Sequence, residues 1–207
     1  MTDEKEPNPT TVEEFENMQV VKASDLGMIT GRPTFNGVYD VGRAVRMNLA
    51  GYEDRREPTY GYLHLALNTA ALPGGIAVAL SADQGLPIPW AAGLSSRQRQ
   101  NYLNVYNQNQ EYFLSDRNAQ TCMKNFIIKC IPEVHFKSLK HDFAGYRNVT
   151  LRQFLAIMSN DFPATPEEKQ VIVQALAEKW DTSEDIVELF DRIKQTRNFD
   201  FVNNRQT

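Results

Sequence analysis

No apolar run in this chain approaches the ~20 residues that a membrane-spanning helix needs, so the sequence offers no transmembrane segment. Its start, MTDEKEPNPTTVEEFE, lacks the basic-then-apolar order of a secretory signal. A cytoplasmic location is the expectation, and there the sequon Asn148-Val149-Thr150 meets no glycosylating enzyme. Cysteine is scarce, with only Cys122 and Cys130, which in such a compartment are expected as reduced thiols. No disulfide scaffold follows from two cysteines in 207 residues. Excess charge is also lacking. The net value is -4, and the acidic first 22 residues account for all of it, leaving a neutral body. That balance excludes a nucleic-acid binder of the strongly basic kind.

Signatures of chemistry are missing as well. The most suggestive metal pattern is Cys122, Cys130, His135 and His141. A structural zinc site draws its ligands as close pairs, three to six residues apart. Eight residues of helix set the two cysteines ~12 Å apart along the axis, too far to share one ion. No G-x-S-x-G elbow, P-loop or G-x-G-x-x-G turn is present. The acid pairs Glu167-Glu168 and Glu184-Asp185 fall in helix first turns, where compensation of the helix dipole explains them. His64 stands in an apolar run and reads as a half-buried core residue. The expectation is therefore a protein with no catalytic residues, no cofactor and no metal.

What is present is a succession of amphipathic helices with start signals. Residues 1–22, with Pro7, Pro9 and repeated Thr and Glu, read as a disordered acidic tail. From Pro33, a first-turn proline, Phe35, Val38, Val41, Val45 and Leu49 recur at helical spacing. Residues 51–59 read as a charged loop, and 60–72 as a short buried helix with a strand as the competing reading. The stretch 73–94 is rich in Pro and Gly and forbids a long regular element, and Trp90 within it is expected in a core. Ser95 and Gln98 are spaced as a capping box, opening a helix with Tyr102, Tyr106, Asn109 and Phe113 on one face. Leu114-Ser115-Asp116 reads as a break, and Ala119, Met123, Phe126, Ile127 and Cys130 then form an apolar stripe that Pro132 ends.

Residues 133–141 read as a short helix followed by the turn DFAGYRN. Thr150 and Gln153 form a second capping box before Leu151, Phe154, Leu155, Met158 and Phe162. Thr165-Pro166-Glu167-Glu168 opens a further helix that carries Ile172, Leu176 and Trp180. Asp181 to Glu184 opens the last helix, with Ile186, Leu189, Phe190 and Ile193 inward. Lys137, Lys140, His141, Arg147 and Arg152 gather in sequence around one turn as weak nucleic-acid candidates, against the plainer reading of a solvated edge. No repeat of fixed period is present.

The run from His135 to Leu155, HFKSLKHDFAGYRNVTLRQFL, resembles the capsid region of Gag polyproteins from copia-type LTR retrotransposons. The order of elements around it is similar too. Gly61-Tyr62-Leu63-His64-Leu65 matches an upstream segment of that family, with Tyr62 where His is usual and Leu-His-Leu-Ala in place of Leu-Gly-Leu, and the resemblance spans roughly residues 33–201. It implies an all-α, two-lobed capsid-like fold. The implied division is a disordered tail at 1–22, an N-terminal helical region with its connector at 23–94, a capsid-like domain at 95–201 and a frayed tail at 202–207, with a lobe boundary near 94–116. It also implies a homo-oligomer that assembles into particles around element RNA, the RNA contact falling mainly to a downstream basic or zinc-knuckle segment. Gly145, Tyr146, Asn148, Phe154, Trp180 and Phe190 are the structural and assembly candidates, and the helices opening at Thr150 and Asp181 the expected subunit contacts. The other reading is a host-retained Gag-like helical module that grips a protein or peptide.

Overall fold

The computed structural model describes residues 9–67, 82–85, 94–163 and 165–166. These are all-α, as expected, and their only β feature is a bridge between His141 and Gly145. Five helices occur in chain order: α1 (Val12–Asn17), α2 (Ala23–Leu26), α3 (Phe35–Gly51), α4 (Ser96–Cys130) and α5 (Leu151–Asp161). Two 3-10 segments, Gly61–Leu65 and Glu133–Leu139, join them. Residues up to Phe162 form one compact unit and those from Pro163 a second. Of the second, Thr165 and Pro166 show the expected start, with Pro166 already helical. Trp90, Trp180, Phe190 and the two last helices lie outside the described residues.

α3 begins at Phe35, two residues after Pro33, because Thr34 caps it and its Oγ1 accepts from the Gly37 amide at 3.3 Å. Its apolar stripe, Val38, Val41, Val45 and Leu49, is buried. α4 starts at the foreseen Ser95–Gln98 capping box and α5 at Thr150–Gln153. Each box satisfies amides that the first helical turn leaves unpaired. The α4 stripe of Ala119, Met123, Phe126, Ile127 and Cys130 packs against Leu151, Phe154, Leu155 and Met158 of α5 in one shared core. Phe136 stacks on Phe154 at 4.8 Å between centroids and closes that core from the first turn after α4.

Two expectations fail. Residues 9–22 are not a disordered tail. Thr11 and Glu14 form a capping box for α1, and Phe15 is wholly buried, edge-on to Tyr52 at 4.9 Å and to Tyr62 at 5.4 Å. The physical reason is the burial of one large aromatic, which stabilises by about 2–3 kcal/mol and outweighs the low apolar content around it. The Tyr52 hydroxyl donates to the Phe15 carbonyl at 2.9 Å, and Asn48 pairs with the Val21 amide and carbonyl at 2.9 Å each.

The second failure is the break at Leu114-Ser115-Asp116. α4 runs unbroken for 35 residues, so no lobe boundary falls there, and residues 9–67 and 94–162 belong to one unit. Ser115 and Asp116 stay helical because their side chains find tertiary partners instead of competing for the local backbone. The Ser115 hydroxyl donates to the Pro9 carbonyl and pairs with the Tyr62 hydroxyl at 2.6 Å. The 60–72 helix is shorter than expected, a 3-10 segment over Gly61–Leu65 within the described residues. Gly61 is required there: its φ is +53, and a Cβ would lie 2.2 Å from the Tyr52 carbonyl oxygen.

Candidate functional site

The 51–59 loop is charged, as foreseen, but two of its acids are buried. Asp54 is 1% exposed and Glu57 4%. Arg56 sits between its near neighbour Asp54 and Asp116, which lies sixty residues further along the chain from Arg56. Its Nε donates to both oxygens of Asp54 at 3.0 and 3.1 Å, and its Nη1 donates to Asp116 Oδ2 at 3.0 Å. Its second terminal nitrogen bridges both carboxylates. Burial alone would push the Asp116 carboxyl up, but hydrogen bonds and charge from Arg56, with His64 assisting, hold it below the usual carboxylate range. His64 is buried, more fully than a half-buried core residue, and lies parallel to the Tyr62 ring. Its Nε2 is 3.3 Å from Asp116 Oδ1, but the geometry is too poor for a good hydrogen bond, and Nδ1 has no partner among the described residues. The ligand atoms of Asp54, His64 and Asp116 lie within 4.8 Å of one another. Arg56 already supplies the cation between the two carboxylates. Arg56 thus offsets one of the two carboxylate charges, and the cluster ties the 51–59 loop to the middle of α4, a structural arrangement.

Above it lies a cleft of about 380 Å³ between α4 and the 147–150 turn. Arg117, Gln120 and Lys124, on one face of α4, line it together with Phe113, Asp116, Asp83 and Arg147-Asn148-Val149-Thr150. Lys124 is 6% exposed, and its Nζ donates to the Tyr146 and Val149 carbonyls at 2.9 Å each. Burial, and then the neighbouring charge of Arg117, lower its pKa.

The expected basic group is divided in the structure. Lys137 is exposed. Lys140 pairs with Glu133 at 2.6 Å and lies over the Tyr146 ring. Arg152 turns inward, where its Nη2 donates to the His64 carbonyl at 2.6 Å. Only Arg147 faces the cleft. The assembly candidates also separate. Phe154 is spent inside the core, so the apolar face of α5 is unavailable to a neighbouring subunit. Tyr146 packs edge-on against Phe154 at 5.0 Å. Gly145, with φ +54, closes the His141–Gly145 loop through two backbone hydrogen bonds of 3.0 and 2.8 Å. At its tip Phe143 is 96% exposed. Asn148 lines the cleft.

Three features escaped the sequence: the Asp54–Arg56–Asp116 network, Lys124 in the cleft and the projecting Phe143. Only Arg56, among acids in a tyrosine-flanked loop, carried a faint signal for the first. A further surface stands out in α4. Its first buried residue is Ser115, so the nineteen residues before that contain none. From Gln100 to Gln110 they also carry no charge. Tyr102 and Val105, one turn apart, are 39% and 56% exposed. The adjoining half-buried side meets residues 82–85, with the Tyr106 hydroxyl donating to the Gly85 carbonyl and the Gln84 amide to Gln110 Oε1. Among the described residues no helix is long and apolar enough to cross a membrane.

Compared with protein-family models, curated proteins and solved structures, the chain matches none.

Proposed function

We propose that this chain is a structural protein of the retroelement capsid type, which associates with further copies of itself, and that it carries no enzymatic activity. The observation that bears most weight is the first half of α4: about 28 Å of helix with no buried side chain and an uncharged stretch of Asn, Gln, Tyr, Leu and Val from residue 100 to 110. A solvated helix ordinarily carries charges on its outer face. A strip without them can meet its own copy about a two-fold axis with no like charges opposed. Phe143, held in solvent by a backbone-locked loop, is a second contact of the kind that anchors interfaces. The all-α architecture and the resemblance of residues 135–155 support the same reading. Packaging of element RNA, and a cytoplasmic site for assembly, belong to this proposal.

Sedimentation velocity over rising protein concentration tests it. The wild-type chain is expected to form dimers or larger species by about 100 µM, an association of about -5.5 kcal/mol. Val105→Lys with Asn109→Lys should weaken that at least tenfold while leaving the melting temperature of the monomer in place. A wild-type chain that stays monomeric at that concentration in both low and raised salt overturns the proposal. A chain that is monomeric yet captures a helical peptide along α4 would instead favour a partner-binding module.

A further inference from the structure

We infer that the cleft between α4 and the 147–150 turn is a binding site for a small phosphomonoester of about nucleotide size. This inference does not depend on self-association, since every group it uses lies within one compact unit.

Lys124 carries the argument. A buried charge is normally paired, because an isolated ion is poorly solvated away from water. Lys124 is 6% exposed and is held only by two carbonyl oxygens, which leaves one N–H of the ammonium undirected and the charge unbalanced. Asp116 lines the same cleft, but Arg56 and His64 already engage its carboxylate. Arg117 and Arg147 face the cleft too, and neither guanidinium makes a hydrogen bond or ion pair among the described residues. Three cations thus line one cavity against two carboxylates, Asp83 and Asp116, which leaves positive charge in excess. At the start of α5 the amides of Thr150, Leu151 and Gln153 are taken by the side chains of Gln153, Gln120 and Thr150, and the site rests on side chains and not on that helix end.

The composition narrows the ligand. Guanidinium forks match the oxygens of a phosphate better than a halide does. A volume of about 380 Å³ lies at the low end for small-molecule sites and holds more than a free ion. Phe113 gives an apolar wall and Asn148 an amide for the rest of the molecule. Asp83, whose Oδ1 accepts from the Gly85 amide at 2.9 Å, disfavours a second anionic group at its side of the cleft. A single phosphate on a nucleoside- or sugar-sized body meets these conditions.

Isothermal titration calorimetry of the full chain with AMP, ribose 5-phosphate, inorganic phosphate and adenosine, at matched ionic strength, provides the test. AMP or ribose 5-phosphate should bind, inorganic phosphate more weakly, and adenosine not measurably. Arg117→Ala with Arg147→Ala should weaken AMP binding by about tenfold or more, or about 1.4 kcal/mol, with the ligand-free melting temperature unchanged. Lys124→Arg, which keeps the charge, should retain more affinity than Lys124→Gln. The inference is overturned if no phosphate-bearing probe binds, if the double variant binds AMP as tightly as wild type, or if a single-stranded RNA oligomer binds where AMP and phosphate do not. Self-association is read separately by sedimentation, so failure here leaves the assembly proposal standing, and the reverse also holds.

Discussion

Replacing Arg56 by methionine removes the cation that two buried carboxylates share. The Asp54 side chain is fully buried and that of Asp116 is 4% exposed, so neither recovers its hydration when the guanidinium goes. Removing one partner of a buried ion pair costs about 3–5 kcal/mol. Arg56 itself is 15% exposed, which puts the expected loss near the lower end, about 3 kcal/mol. With a urea dependence of about 2 kcal/mol per molar, the unfolding midpoint at neutral pH should fall by about 1.5 M. The pH dependence gives a sharper signature. In the wild type the Asp116 carboxyl is held below its unfolded value, so its contribution is complete above that value and is lost as pH falls through the folded one. In Arg56→Met the burial remains while the largest lowering contacts vanish, so the Asp116 pKa moves up and acidification relieves the strain on the variant. The two stability curves should therefore converge between about pH 7 and pH 4. Repeating the pair in a His64→Gln background separates this from any titration of the imidazole. Arg56→Met combined with Asp54→Asn and Asp116→Asn should recover most of the loss. A deficit below about 1 kcal/mol, or one that widens in acid, would refute the reasoning.

Phe15→Ala should destabilise the chain by about 3 kcal/mol in the same urea assay, because the ring fills a space between Tyr52 and Tyr62; an effect under about 0.5 kcal/mol would return residues 9–22 to the status of a loose tail. Gly61→Ala and Gly145→Ala form a matched pair. Both glycines have positive φ, at +53 and +54, so each pays about 1–2 kcal/mol for the backbone. Only Gly61 adds a clash with carbonyl oxygens at 2.2 and 2.8 Å, while Gly145 has open space. Circular dichroism melting should show Gly61→Ala as much the worse; equal losses would contradict the packing described. Burial raises the thiol pKa of Cys122, and that of Cys130 to about 11. Both should resist iodoacetamide at pH 8 in the native state and react within minutes in denaturant, as read by mass spectrometry.

Local signals in the sequence were trustworthy where the physics is local. The Ser95–Gln98 and Thr150–Gln153 boxes, the α3 stripe from Val38 onward, the α4 stripe and the stop at Pro132 each depend on residues within about one or two turns, and each stands as read, while Phe35 at the start of the α3 stripe is only half-buried. The misreadings share a cause. Phe15 lies in a run of acids, and nothing within that run shows that Tyr52 and Tyr62 will receive it. Ser115 and Asp116 look like helix breakers until Pro9, Tyr62 and Arg56 are brought beside them from 50 or more residues away. The basic residues at 137–152 looked like one group by proximity in sequence, yet the turn at Gly145 and the inward face of α5 send them to separate partners. Lys124 belongs to the cleft only because two carbonyls of the 146–149 turn fold over it.

The central claim, that this helical unit is built to associate with itself, is addressed most directly by sedimentation velocity of the purified full chain beside Val105→Lys/Asn109→Lys and Phe143→Asp. The claim predicts a concentration-dependent rise in sedimentation coefficient for the wild type, which the α4 variant abolishes and Phe143→Asp reduces. One monomeric boundary for all three at the highest attainable concentration would contradict it.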